Sequence, residues 1–586
     1  MMEKLIYEEG MMDLEQILEI VSFAIRVADP VLALIIIVMC FSSLKGGRRE
    51  EHALIVLEND AEEISYPVLY WENSIGRSKN SDITINDPTV SRDHAVLLRR
   101  NDGWFITDTD SKSGVYVNGE QTEGRCPVAV GDVITCGSTS LVLRRSSSNG
   151  TKHKNRREGR VVPPPLTLSL ITLYIASMAV QAVINMESTF SVIPAAGFIA
   201  AMWLFYVVSR GIFRRHNFEL EALALLLSGT GVMLAATHNT DTRQAYVQLA
   251  AVVLGFIIYS FVIWFIEIPD RVMKWHIIIS VLSLLLLGST LVLGTEQNGA
   301  KNWITLGPLS IQPSEFAKIG YIFVGASTLD VLQTRKSLTE FIAVSAMSVG
   351  LLALMSDFGT ALIFFVTFLV IAFMRSGDIR TVILAIAAAV LGVIVVLSMK
   401  PYIADRFAAW GHVWEFMDDK GYQQTRCLIY SASGGLFGVG LSKGYLQYIF
   451  ASENDIVFGL VCEEIGLAIA VLITIVIGGF MIYARGVATR SRSTFYSIAA
   501  CSAGGMLVFQ AALNIFGAVD ILPLTGVTLP FVSYGGSSMA ACWGLLAFIK
   551  AADERTYTHR HPKQKKVKKS SKKNTASEGE GNFVEV

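Results

Sequence analysis

The chain has 586 residues, of which 52% are hydrophobic and only 17% charged, a balance far more apolar than soluble globular proteins carry. That excludes an ordinary soluble enzyme. The formal net charge is −1, from 49 Lys plus Arg against 50 Asp plus Glu, so the useful signal is where charges lie along the chain, and no nucleic-acid partner is expected. The 7 Cys form no CxxC pair, an odd number excludes complete pairing, and Cys40, Cys462, Cys501 and Cys542 lie in apolar runs, so all are read as free thiols. No HExxH motif or Cys/His cluster occurs, which argues against structural zinc and metallopeptidase chemistry and leaves no metal ligand to name.

The first apolar run, 17–44, holds Arg26, Asp29 and Pro30, with acidic residues before it and Lys45, Arg48 and Arg49 after it. A signal peptide has the opposite charge order, so 1–50 is read as an uncleaved membrane anchor of about 20 to 25 residues with its basic flank in the cytoplasm. A helix lying in the membrane interface is the alternative. Residues 51–146 are polar, with short alternating segments at 83–85, 95–98, 104–106 and 115–117 between turn residues, the pattern of a small all-β sandwich. Residues 147–165 form a basic, Pro-rich linker.

From Leu166 the apolar runs resume, about twelve of them at roughly 17 to 25 residues each. Two additional spans, 166–186 and 193–208, make up the segment 166–217. Ten more fill a core at 218–552: 222–237, 244–266, 277–294, 316–331, 341–355, 360–373, 382–399, 456–483, 497–518 and 531–549. With the anchor this predicts a polytopic α-helical protein of about thirteen spans. Arg210, Arg214 and Arg215, then Arg271 and Lys274, Arg335 and Lys336, Arg375 and Arg380, and Arg485, Arg490 and Arg492 fall on alternate connections, which are therefore cytoplasmic, together with the β domain and the Lys-dense tail at 553–586. The opposite face receives 295–315, the Ser356-Asp357 step, 400–455 and 519–530, and the chemistry is expected there.

In the β domain Gly76-Arg77, Ser91-Arg92-Asp93-His94, Asn118-Gly119 and Gly131-Asp132 follow one another in an order and spacing that resembles a forkhead-associated (FHA) domain. The resemblance implies phosphothreonine recognition: Arg77 offers a guanidinium fork and Ser91 a hydroxyl to a phosphate dianion, with His94 and Asn118 shaping the loops. Where the family usually has Asn before the glycine matched to Gly114, this chain has Ser113. A degenerate domain used only for protein contact is the rival reading.

Five clusters mark the membrane part, where ionisable groups are costly and become functional candidates. The first joins Gly299-Ala-Lys-Asn-Trp303-Ile304 to Gln312-Pro-Ser-Glu315-Phe-Ala-Lys318; Glu315 and Lys318 share a helix face, as an ion pair or as contacts to phosphate and sugar. The second is Ser356-Asp357-Phe-Gly-Thr-Ala361, in which an N-cap explains the Asp equally well. The third is Gly421-Tyr-Gln423 with the glycines of 433–440. The fourth runs from Glu453-Asn-Asp455 to Glu463-Glu464-Ile-Gly466, with the two Glu expected about 12 to 14 Å further along the same helix. The fifth comprises Asn514, Leu522-Pro-Leu-Thr-Gly526 and Leu529-Pro-Phe-Val-Ser533-Tyr534-Gly-Gly-Ser-Ser538, dense enough in Pro and Gly for a re-entrant loop.

In this order the five clusters resemble the SEDS family of polytopic peptidoglycan glycosyltransferases, the RodA, FtsW and SpoVE relatives, over about residues 218–549. The resemblance implies polymerisation of lipid II into glycan strands on the outer face of the cytoplasmic membrane, beside a single-span transpeptidase, a class B penicillin-binding protein. It carries the catalytic carboxylate onto Asp455. Departures from the family pattern are Glu453-Asn454 for His-Thr, Met355-Ser356 for Gln-Pro, Arg426-Cys427 for Gln-Ser, and Thr528 for Pro.

Joining two lipid-linked sugars needs a base for the acceptor hydroxyl and positive charge for the departing pyrophosphate. Asp455 suits the first role, and Lys318 and Arg406 the second, with or without a divalent metal (Mg or Mn) from solvent; no cofactor is certain. Trp303, Glu315, Asp357, Gln423, Glu463, Asn514, Ser533 and Tyr534 complete the candidate substrate site. One base and no second carboxylate nucleophile point to inversion. A lipid II flippase or other transporter, and a non-catalytic scaffold for a transpeptidase, are the rival readings, although acids at an outer mouth fit a carrier poorly.

Overall fold

The computed structural model describes residues 14–46, 55–68, 72–78, 81–100, 103–122, 124–145, 162–186, 189–211, 217–238, 242–297, 300–306, 309–327, 335–376, 379–380, 382–388, 390, 410–489 and 493–553. Arg406, the linker before residue 162 and the tail beyond Asp553 lie outside them. Among the described residues nine helices are long and apolar enough to cross a bilayer, and two shorter apolar ones are Thr339–Leu354 and Gly536–Ala552. The protein is thus a multi-pass helical membrane protein with a separate β domain.

The helices follow in order: α1 (Leu14–Gly46), α2 (Pro164–Met186), α3 (Val192–Gly211), α4 (Glu219–Thr237), α5 (Thr242–Ile266), α6 (Pro269–Leu293), α7 (Pro313–Ala326), α8 (Arg335–Leu354), α9 (Phe358–Ser376), α10 (Tyr422–Ser433), α11 (Val457–Glu464), α12 (Leu467–Ala488), α13 (Thr494–Ala518) and α14 (Gly536–Ala552). Every residue of α4 is buried, which makes it the centre of the bundle. Around Trp543 of α14 the rings of Phe205, Phe256, Tyr259 and Phe531 stand edge-on at 4.8 to 5.9 Å, the geometry that aromatic quadrupoles favour. Gly255 lets α5 approach that ring, because a Cβ there would lie 2.7 Å from Trp543 Cδ1.

The polar residues of the first apolar run face protein. Arg26 Nη1 donates to Gly438 O at 2.7 Å, Ser177 Oγ to Asp29 at 2.6 Å, and Ser43 Oγ to Glu219 at 2.7 Å. Hydrocarbon offers no partner for such groups, so they fix which side of α1 meets α2, α4 and α12.

One expectation is corrected. The single span at 456–483 is two helices: α11 ends at Glu464, and Gly466, at φ +107°, turns the chain into α12. A Cβ at Gly466 would meet Leu436 O at 2.5 Å, so close backbone packing and a glycine-only conformation coincide there. Glu463 and Glu464 therefore stand at the end of an 8-residue helix, not deep in a long span. The connection at 295–311 holds an antiparallel sheet of Thr295–Gln297, Ala300–Leu306 and Leu309–Ile311, with Gly299 and Gly307-Pro308 between the strands in the sequence.

The β domain is a sandwich of two sheets. One has the order Ile64–Val68, Ile55–Asn59, Thr139–Arg145, Val133–Cys136, Val115–Val117, Glu120–Gln121; the other runs Ile83–Thr84, Glu72–Gly76, Ala95–Arg100, Gly103–Asp108, Arg125–Val128. Leu57, Ile75, Leu97, Ile106, Ile134, Leu141 and Leu143 fill the space between them, the inward half of each alternating strand.

Candidate functional site

The short segment 453–455 is held carbonyl by carbonyl. Tyr534 N donates to Glu453 O at 3.0 Å, Ser533 Oγ and Asn514 Nδ2 donate to Asn454 O at 3.1 and 3.2 Å, and Asn514 Nδ2 also reaches Asp455 O at 3.0 Å. Asn514 closes the set on Val527 O at 2.7 Å. One buried amide on α13 thus pins both the Asp455 segment and the Pro-rich loop across from it. The Asp455 side chain is half-buried and lies against Gly526, where a Cβ would come within 3.5 Å of Oδ2.

The N-cap of α11 is Ile456, which makes no side-chain cap bond, and Asp455 stands one residue before it.

Gln510, four residues before Asn514 and on the same face of α13, joins a second cluster. Lys318 Nζ donates to Glu315 Oε1 at 2.7 Å and to Gln510 Oε1 at 2.9 Å, and Gln510 Nε2 donates to Thr528 O and Oγ1 at 3.0 Å. Lys318 is fully buried and Glu315 nearly so, and in this geometry they form a structural ion pair. Thr528 Oγ1 meets Ser538 Oγ at 2.6 Å, so this hydroxyl ties the 522–535 loop to α14. Buried Gln248 of α5 braces the same loop, donating to Ser533 O at 2.9 Å and accepting from Gly535 N at 3.3 Å.

Asp357 does act at a helix start, since its Oδ1 accepts from Thr360 N at 3.1 Å. Its Oδ2 also accepts from Asn302 Nδ2 at 3.1 Å and Gln312 Nε2 at 3.2 Å, joining the small sheet to α7 and α9. Gly359, two residues on, packs on the 525–527 loop, with Thr525 O 3.0 Å from where its Cβ would be. Trp303 sits half-buried on the central strand of that sheet. Gln423 Nε2 donates to Phe450 O at 2.7 Å, and Glu463 accepts from Tyr445 N and Leu446 N at 2.7 and 2.9 Å. These last two side chains brace the loop that leads into Asp455.

Sequence reasoning missed His238, at the C-cap of α4, whose Nε2 meets Glu453 Oε2 at 3.1 Å. Burial acts to raise the Glu453 carboxyl, but hydrogen bonds, led by that from His238, outweigh it and hold the group below the ordinary Glu range. The available signal was Glu453 itself, an acid beside apolar segments and in need of a partner. Gln248 and Gln510 carried no motif. Glu315 Oε2, Asn514 Oδ1, Asn454 Oδ1 and Thr525 Oγ1 are buried without a hydrogen-bond partner among the described residues, which leaves polar capacity around the 453–455 segment. Among the described residues no group of three or more His, Cys, Asp or Glu is placed to hold a metal ion.

In the β domain, exposed Arg77 and half-buried Ser91 stand on neighbouring loops, tied by Arg77 N donating to Ser91 O at 2.9 Å. Ser91 Oγ accepts from Lys112 N at 3.0 Å, which leaves its proton to offer. Buried His94 bridges the loops, its Nδ1 accepting from Ser91 N at 3.0 Å and its Nε2 facing Gly114 O at 3.1 Å. Asn118 bonds Asp132 and Val133 N at 3.0 and 2.9 Å. Both are loop-shaping residues. Ser113 Oγ turns inward to Thr89 O at 3.2 Å.

A helical bundle with a pinned carboxylate under a re-entrant loop defines a polytopic membrane protein with one concentrated site, and comparison with known proteins gives the class. The Cell cycle protein family model of FtsW, RodA and SpoVE matches residues 215–558, and the chain belongs to that family. The FHA domain model matches residues 73–137.

A probable peptidoglycan glycosyltransferase FtsW of Saccharophagus degradans is 31% identical over 363 residues, covering 58% of this chain and 92% of that protein. The peptidoglycan glycosyltransferase RodA of Mycobacterium tuberculosis is 29% identical over 363 residues, 56% of this chain and 76% of that one. A chain in a solved peptidoglycan synthase complex is 27% identical, covering 57% of this chain and 96% of its own length, at a TM-score of 0.49.

Proposed function

We propose that the protein polymerises lipid II into glycan strands at the outer face of the cytoplasmic membrane, with Asp455 as general base. The observation that carries this reading is the anchoring of three successive carbonyls, 453 to 455, by Tyr534, Ser533 and Asn514, which presents a carboxylate in one position before substrate arrives. Asp455 takes the proton of the acceptor hydroxyl as its oxygen bonds to the donor's anomeric carbon. The bond from that carbon to the lipid pyrophosphate breaks, and the configuration inverts.

Lys318 is held inside by Glu315 and Gln510, so its part is to position α13 against α7. The pyrophosphate contact falls to Arg406, and no step is routed through a metal. Relatives named as glycosyltransferases support the reaction class. The basic connections support a cytoplasmic β domain and tail, with Asp455 outside. A class B penicillin-binding protein as partner, and a phosphorylated cytoplasmic protein bound through Arg77 and Ser91, complete the proposal. The test is purified protein given labelled lipid II: polymer from the wild type and none from Asp455→Asn supports the enzyme, whereas movement of lipid II between leaflets without polymer would make it a transporter.

A further inference from the structure

The β domain touches the helices through a buried carboxylate. Glu72, the first residue of the Glu72–Gly76 strand, is 5% exposed; its Oε1 accepts from Ser493 Oγ at 3.0 Å and its Oε2 from Thr494 N at 3.2 Å. Ser493 is the N-cap of α13, is 2% exposed and makes no cap bond with its own side chain. A helix start has unpaired N–H groups and a partial positive charge. Here an acid from another domain meets both needs.

The same strand leads to the phosphate loops. It runs from Glu72 to Gly76, and Arg77 follows about 16 Å from the contact at 3.3 Å per residue. A Cβ at Gly76 would collide with the Arg92 carbonyl, and Ser78 N donates to Arg92 O at 3.0 Å, so strand and loops form one unit. Arg77, Arg92 and Lys112 stay exposed in this docked arrangement. In the other direction α13 continues unbroken for about 30 Å to Gln510 and Asn514, whose side chains hold Lys318, Thr528 and the Asp455 segment.

We propose that Glu72 couples occupancy of the phosphopeptide site to the catalytic loop through α13, so that a phosphothreonine protein bound at Arg77 changes the rate of polymerisation as well as the enzyme's location. The proposal rests on the polymerase reading of Asp455 and adds regulation to it. Coupling of this kind requires one contiguous element that both sites bias, and α13 is that element.

The experiment uses the full chain in detergent or nanodiscs. A short bis-maleimide should link Glu72→Cys to Ser493→Cys, with the linked peptides identified by mass; absence of that link overturns the dock. A synthetic phosphothreonine peptide selected by calorimetry on the wild type, compared with its unphosphorylated twin, should change the initial rate on lipid II at least twofold in either direction. Glu72→Gln should lose that change while binding the phosphopeptide with its Kd within twofold of wild type, and Ser493→Ala, which removes one of the two bonds, should respond in between. Equal wild-type rates with and without bound phosphopeptide, or a full response in Glu72→Gln, overturn the coupling, as does a wild type that binds neither peptide. A wild type that crosslinks yet makes no polymer under any condition overturns the polymerase reading, and the coupling with it, while leaving the dock in place.

Discussion

Asp455 lies one residue before the N-cap of α11, and Asn keeps the side chain's size and carbonyl acceptor while removing the base, so that substitution tests chemistry and not helix stability. Asp455→Asn should lower lipid II polymerisation by at least about 100-fold, the scale of a lost general base, with the melting temperature in detergent unchanged. Polymer at the wild-type rate would remove Asp455 from the mechanism. Asn514 is the complementary case, because its amide N–H group serves three backbone carbonyls. Asn514→Ala should destabilise the fold by about 1 to 3 kcal/mol for the buried groups left unpaired. It should also lower kcat more than it raises KM, since the base loses its position while substrate contacts remain. Unfolding and steady-state kinetics on one preparation separate the two effects.

At the scale of elements, the break between α11 and α12 places the 451–455 segment beneath the loop at 522–538. An unbroken span would carry Glu463 away from the backbone N–H groups of Tyr445 and Leu446 that it now receives. Gly466→Ala should therefore cost about 1 to 3 kcal/mol in strain, read as a lower melting temperature. Because the 434–446 loop shifts with it, activity should fall further than stability alone explains. A variant as stable and active as the wild type would mean that the bend does not organise the site. The anchor helix α1 braces the same loop through Arg26 and Gly438, so segments outside the family match at 215–558 support the family core.

For the molecule as a whole, sidedness decides whether the two sites have separate access. With Cys126 replaced by Ser, Tyr448→Cys on the 410–455 segment should react with a membrane-impermeant maleimide in intact cells. Lys112→Cys should react only after lysis; labelling of Lys112→Cys in intact cells would invert the topology. Arg77→Ala should abolish phosphothreonine-peptide binding in calorimetry while the domain melts as before, because Arg77 is exposed and its backbone N–H, not its side chain, ties it to Ser91. Equal binding of phosphorylated and plain peptide by the wild type would reduce the domain to a contact surface.

The sequence alone determined the classes of structure. Long apolar runs must satisfy their backbone internally and so become helices, and alternating polar strands with turn residues become a sandwich. The five clusters stood out because Pro, Gly and ionisable residues are conspicuous against apolar surroundings, and the family resemblance of those clusters pointed to Asp455, Asn514 and Ser533 before any geometry. What the tertiary structure decided were relations between distant residues. Glu453 meets His238, Gln510 meets Lys318, Glu72 meets Ser493, and none of these pairs shares a periodicity or a local spacing. The break at Gly466 was hidden because both halves are apolar and hydropathy cannot register a change of direction; it needs a positive φ and the Leu436 carbonyl beside it. That Asp357 bonds the start of α9 and that Glu315 pairs with Lys318 likewise turned on which donors lie within about 3 Å, a property of packing that composition does not encode.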